Sequence, residues 1–134
     1  MRPRAALAAL HVRYTRENDL ISPALADVLG VSGRKQDFFG EVTWHAPATL
    51  FFDYRSGAPG TPVPEMKALY SLHAFTPETP DSTHYLWATA RDFALDDDAF
   101  SQGLHAALSY AFEHEDLPVI RDAHRLMAGR DFWD

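Results

Sequence analysis

The last third of the chain carries one long apolar stripe at helical spacing: Phe100, Leu104, Leu108, Ala111, Phe112, Val119, Ile120, Ala123 and Met127. It predicts a helix from about 97 to 128, bent at Pro118, which has no backbone N–H to give. A helix of that length needs a broad partner, and the sequence before it is written in another period. Residues 37–45 (DFFGEVTWH), 48–54 (ATLFFDY), 67–75 (KALYSLHAF) and 83–90 (THYLWATA) are rich in aromatic and β-branched residues, as strands are. Residues 10–17 (LHVRYTRE) alternate well enough for another strand.

The punctuation supports this division. Ser22-Pro23 opens a short helix that Gly30 closes, and Ala46-Pro47 separates two strands. Residues 55–64 (RSGAPGTPVP) read as a surface loop, and TPETPDS as a hairpin loop. Residues 3–10 read as a short helix. Asp96 or Asp97 caps the final helix. A short helix, antiparallel strands and a long helix make the class α+β. The expected architecture is a helix-grip (START-like) fold, a curved antiparallel sheet packed by the long C-terminal helix, in one domain over residues 1–134. Such folds often enclose a pocket, the default place to look for a ligand.

Charge and composition exclude several functions. Net charge is −7, with 12 basic residues against 19 acidic ones and no basic cluster. Nucleic acid and anionic membrane surfaces are therefore not expected partners. The absence of cysteine excludes disulfides, zinc fingers and cysteine-held iron–sulfur clusters within these residues. No apolar run approaches the roughly 20 residues of a membrane span. The Ala/Leu stretch near the start is too short for a signal peptide, and Arg13 and Arg16 follow it at once. A cytoplasmic protein is expected.

Two polar positions stand out against the apolar pattern. At about 100° per residue, Glu115 falls within the helix stripe and Asp116 at its edge. A carboxylate facing a core costs several kcal/mol, on the order of what only a cation, a donor or a metal offsets. Either these acids belong to a site, or they pair with an arginine such as Arg91 or Arg121, or they reach solvent at the bend. His73 shares a strand face with Leu69, Ser71 and Phe75. Either it lines a pocket and donates to a ligand, or it is a core histidine satisfied by a backbone carbonyl. His84 alternates with Leu86 and Ala88 and reads as packed or cross-strand. No local metal motif, nucleophile elbow or phosphate-binding loop is present.

The segment from Phe75 to Asp116, FTPETPDSTHYLWATARDFALDDDAFSQGLHAALSYAFEHED, followed by LPVIRDAHRLM, resembles the C-terminal catalytic domain of Rieske non-haem iron oxygenases of the vanillate O-demethylase type. The shared pattern is a Thr-Pro-Glu-Thr loop, a His-Tyr-aromatic strand ending in Ala-Arg, an Asp-Asp helix start and a Phe-x-x-x-Glu-Asp segment. A looser likeness extends upstream, so that residues 22–134 are covered. The resemblance implies an oxygenase acting on small aromatic compounds, with electrons delivered by a reductase. It implies mononuclear Fe(II) held by two His and one carboxylate, and the carboxylate matches Asp116. It also implies substrate contact by the His three residues before the Thr-Pro-Glu loop, here His73. The two His ligands of the family motif have no counterpart in this chain, and neither does the 2Fe–2S Rieske domain. The expectation is a partial catalytic domain, truncated at both ends and inactive alone, with a homo-oligomer favoured by exposed apolar surface. The alternative is a helix-grip module that binds a small hydrophobic ligand without catalysis.

Overall fold

The computed structural model describes residues 9–21 and 23–127. They fall into two compact units, one holding the strands on either side of residues 22–32, the other holding that segment and everything from Asp96 onward.

The first unit is a five-stranded antiparallel sheet in the order β1-β2-β3-β4-β5, with every strand beside its sequence neighbour. Its strands are β1 (Ala9–Asp19), β2 (Gln36–His45), β3 (Thr49–Gly57), β4 (Lys67–Thr79) and β5 (Ser82–Arg91). A short 3-10 turn, Val63–Glu65, precedes β4. The strands are longer than their sequence pattern. Ala9 and Leu10 lie in β1 instead of a helix, while residues 3–8 fall outside the described residues. β3 runs on to Gly57, where a loop is expected, because Asp37 through Ser56 stay in unbroken register across the β2–β3 pair. TPETPDS is likewise mostly strand: β4 continues to Thr79, β5 resumes at Ser82, and only Pro80 and Asp81 turn. Pro77 is tolerated there because β3 pairs with β4 no further than Ala74, so the missing N–H faces no neighbouring strand.

The irregular segments are fastened by side chains. β1 slips register between Arg16 and Asp19, where Asn18 takes a left-handed φ of 52°. The Asp37 carboxylate accepts from Asn18 N at 2.7 Å and from Gly60 N at 2.6 Å, tying two loops to the start of β2. The Ala46-Pro47 peptide is cis. In this unit Phe38 is 1% exposed, and Ile21, Met66 and Ala68 are buried as well.

The second unit contains α1 (Pro23–Val28), α2 (Asp98–Ala111), a π-helical turn at Phe112–Asp116, and α3 (Leu117–Met127). Ser22, the expected cap of α1, falls outside the described residues. Gly30 follows α1 with φ 65°, which glycine adopts without steric cost. Asp97 caps α2: its carboxylate accepts from Phe100 N at 2.8 Å. Among the described residues of this unit, Ala26 and Leu104 are the buried apolar ones. The long helical pattern is thus present over its described length, widened once just before Pro118. No described helix is long and apolar enough to cross a membrane.

Candidate functional site

Cross-strand register sorts the sheet into two unlike faces. Residues directly opposite in an antiparallel pair share a face. Leu10, Trp44, Leu50, His73 and Trp87 therefore form one rung across all five strands. The neighbouring rung is Val12, Val42, Phe52, Ser71 and Thr89, and the next runs from Tyr14 through Gly40, Tyr54 and Leu69 to Arg91. This face is apolar and aromatic. The opposite face carries charge in pairs: Arg13 bonds Glu41, His11 lies 3.5 Å from the same carboxylate, and Arg55 grips Asp53 through two contacts of 2.9 Å. Arg13 holds Glu41 below the usual carboxylate range, and the Asp53 hydrogen bond raises Arg55.

His73 is the polar centre of the aromatic face. It is 9% exposed and sits on the face that strand alternation assigns it. Its ring meets Phe52 edge-on at 4.8 Å and lies parallel to Tyr85 at 5.8 Å, and Tyr85 stacks in turn on Phe75 at 5.1 Å. Nε2 is 2.9 Å from Ser71 Oγ and Nδ1 is 2.5 Å from Tyr85 Oη. Side-chain hydroxyls thus lie within hydrogen-bond distance of both nitrogens. Ser71 comes from the same strand, two residues back. Tyr85 pairs with Phe75 on β5 and reaches His73 diagonally, a partner that appears only once the two-residue turn sets the register. A second cluster lies further along: Tyr14 covers Gly40, Arg16 stands 5.2 Å above the Phe38 ring, and Phe38 and Tyr54 rings are 5.8 Å apart. Burial, with Tyr14 nearby and Arg16 opposing, pushes the Tyr54 phenol up to about 12. It stays neutral at physiological pH.

The acid pair behaves differently from its projection. Glu115 and Asp116 are both exposed, at the end of the π turn. Two causes combine. The turn closes with Leu117 N bonding Phe112 O, five residues back, which rotates the later residues away from a 100° projection. The stripe beyond the turn is itself open, with Val119 and Ile120 more than half exposed. Neither acid forms an ion pair among the described residues: Arg91 donates instead to the carbonyls of Phe93 and Ala94. His114 bends back to Tyr110, and its ring stacks at 4.4 Å. His84 is exposed and lies 3.6 Å from Glu78. Among the described residues no three His, Asp or Glu side chains gather as a metal would need. A single carboxylate does not hold mononuclear iron, so the described residues do not by themselves make an iron site.

Comparison with known proteins finds similar oxygenase components. The family model for the vanillate O-demethylase oxygenase C-terminal domain matches residues 7–134. The oxygenase component of chloroacetanilide N-alkylformylase from Rhizorhabdus wittichii is 39% identical over 61 residues, covering 46% of this chain and 18% of that protein. The iron–sulfur subunit of the toluene-4-sulfonate monooxygenase system from Comamonas testosteroni is 32% identical over 100 residues, 70% of this chain and 28% of its own length. The crystal structure of dicamba monooxygenase bound to 3,6-dichlorosalicylic acid superposes with a TM-score of 0.82 at 22% identity, over 90% of this chain and 35% of that one. That likeness shows a shared α+β fold. The chain spans about a third or less of the length of each of these relatives.

Proposed function

The chain belongs to the vanillate O-demethylase oxygenase C-terminal domain family, and from that membership we propose that it is the substrate-binding portion of a Rieske-type oxygenase component for small aromatic compounds. The family match over residues 7–134 carries this reading. The aromatic sheet face supports it: flat apolar rings around one buried imidazole suit a planar substrate with a polar substituent. In this reading His73 contacts substrate. Asp116 is one ligand of a mononuclear iron whose other ligands come from outside the described residues. The π turn beneath Asp116 suits that role, since such widened turns recur where a helix must aim a functional side chain. The whole assembly draws electrons from a reductase, its 2Fe–2S centre lies outside residues 1–134, which hold no cysteine, and it works in the cytoplasm.

A graft tests the assignment. Residues 7–134 replace the matching segment of the toluene-4-sulfonate monooxygenase subunit, with and without Asp116→Ala. The unmutated graft is expected to retain mononuclear iron, and the variant to lose it. Equal iron in both rejects Asp116 as a ligand. The lack of clustered metal ligands among the described residues favours a second reading, a module that binds a small hydrophobic ligand without catalysis. It predicts that the chain alone binds aromatic compounds and that Asp116→Ala changes nothing.

A further inference from the structure

The hydrogen bonds around His73 specify more than its presence. A neutral imidazole has one N–H donor and one bare nitrogen acceptor, whereas a hydroxyl serves in either role. His73 has a hydroxyl at each nitrogen: Tyr85 Oη 2.5 Å from Nδ1, and Ser71 Oγ 2.9 Å from Nε2. One must donate to the ring and the other accept from it. The phenol is the more acidic of the two, with an ordinary pKa of about 10, so it is the stronger donor. Its oxygen is also the poorer acceptor, because the lone pair is shared with the ring. The shorter of the two contacts is the one at Tyr85, as O–H···N donation from the stronger acid requires.

We infer that Tyr85 is a positioning residue that fixes His73 as the Nε2–H tautomer, making the sheet face selective for aromatic ligands that carry an anionic or ether oxygen. This rests on the reading of His73 as a substrate contact. Nε2–H is directed along the strand toward Ser71, which accepts it in the absence of ligand. Ser71 is only partly buried, and its hydroxyl rotates about a single bond. A carboxylate, sulfonate or ether oxygen entering beside Phe52 takes over the N–H as the serine turns aside. The opposite tautomer would present a bare nitrogen to the same oxygen, and the two lone pairs would repel. Tyr85 is held for its part by stacking, 5.1 Å from Phe75.

Long-range ¹H–¹⁵N spectra of the chain at pH 8, with the His73 ring assigned by His73→Gln, read the tautomer without any ligand. The expected spectrum has a protonated Nε2 and a bare Nδ1, and Tyr85→Phe moves both signals toward a tautomer mixture. A protonated Nδ1 in the unmutated chain, or a tautomer untouched by Tyr85→Phe, overturns the inference. Titration with 4-methoxybenzoate then tests the consequence. Tyr85→Phe is expected to weaken binding by the share of the ring left in the other tautomer, about two- to threefold for a near-even mixture, while leaving the affinity for toluene unchanged. An equal loss for both ligands marks a merely structural role and overturns the selectivity. If the unmutated chain shows the expected tautomer yet binds neither compound, the aromatic-substrate reading of His73 fails and the tautomer assignment stands.

Discussion

At the scale of single residues, two positions on β2 hold neighbouring segments in place. Asp37 accepts two backbone N–H groups, and these hold its carboxyl below the ordinary range. A carboxylate whose folded pKa is depressed stabilises the fold above its unfolded pKa, about 3.9 for Asp, and loses that contribution as pH falls through the lower folded value. Asp37→Asn is therefore expected to lower the thermal midpoint at pH 7. The gap from the unmutated chain should close below about pH 4, as circular dichroism melts at both pH values would record. Gly40 is the second position. A Cβ there would stand 2.3 Å from the Tyr14 ring, which lies directly opposite across the β1–β2 pair. The ring is half-exposed and can swing out, so Gly40→Ala should cost about 1–2 kcal/mol rather than prevent folding. Urea titration in a Tyr14→Ala background should remove most of that cost, since the clash goes with the ring. His73 shows what a sequence conceals at this scale. Its strand face and its neighbour Ser71 were legible from alternation, because both lie on one strand. Tyr85 was not, because a cross-strand partner depends on the length of the turn between strands.

At the scale of elements, legibility follows how local the signal is. The strands around Phe38–Trp44 and Leu50–Tyr54 announce themselves by composition, and Asp97 announces the start of α2 by its own capping bond. The β4–β5 hairpin extends well past its apolar part because backbone pairing, not side-chain burial, carries Thr76–Thr79. The π turn is the other departure. Its one visible sign is Pro118: with no N–H at that position, the ladder cannot continue to the carbonyl of His114, and the helix widens just ahead of it. Pro118→Ala is expected to restore ordinary α-helical bonding through residues 112–118. The thermal midpoint should rise by about 3 °C or more, with stronger helical ellipticity. An unchanged ellipticity would mean that the proline does not impose the wide turn. Loss of the turn would also move Asp116 around the helix axis, so iron retention by the grafted subunit, with its proline intact, is the sharper test of that acid.

At the scale of the whole molecule, many large apolar side chains of the described residues are exposed. Leu10 and Val12 on the outermost strand are 60% and 55% exposed, and Ile120 and Leu126 on α3 more so. An edge strand with open backbone groups and exposed aliphatic side chains invites pairing with a second copy. Self-association is expected to increase with concentration in sedimentation velocity. Val12→Lys should shift the distribution toward monomer, since a charge on an edge strand blocks strand addition. The sheet's connections carry one more consequence. Three of its four strand pairs are joined by the short links 46–48, 58–66 and 80–81, whereas β1 meets β2 only across residues 20–35, which include a helix assigned to the other unit. Closing a longer loop costs more chain entropy before any contact repays it. The four-stranded meander from Gln36 to Arg91 can therefore assemble first, and the N-terminal strand docks onto it last and peels away first.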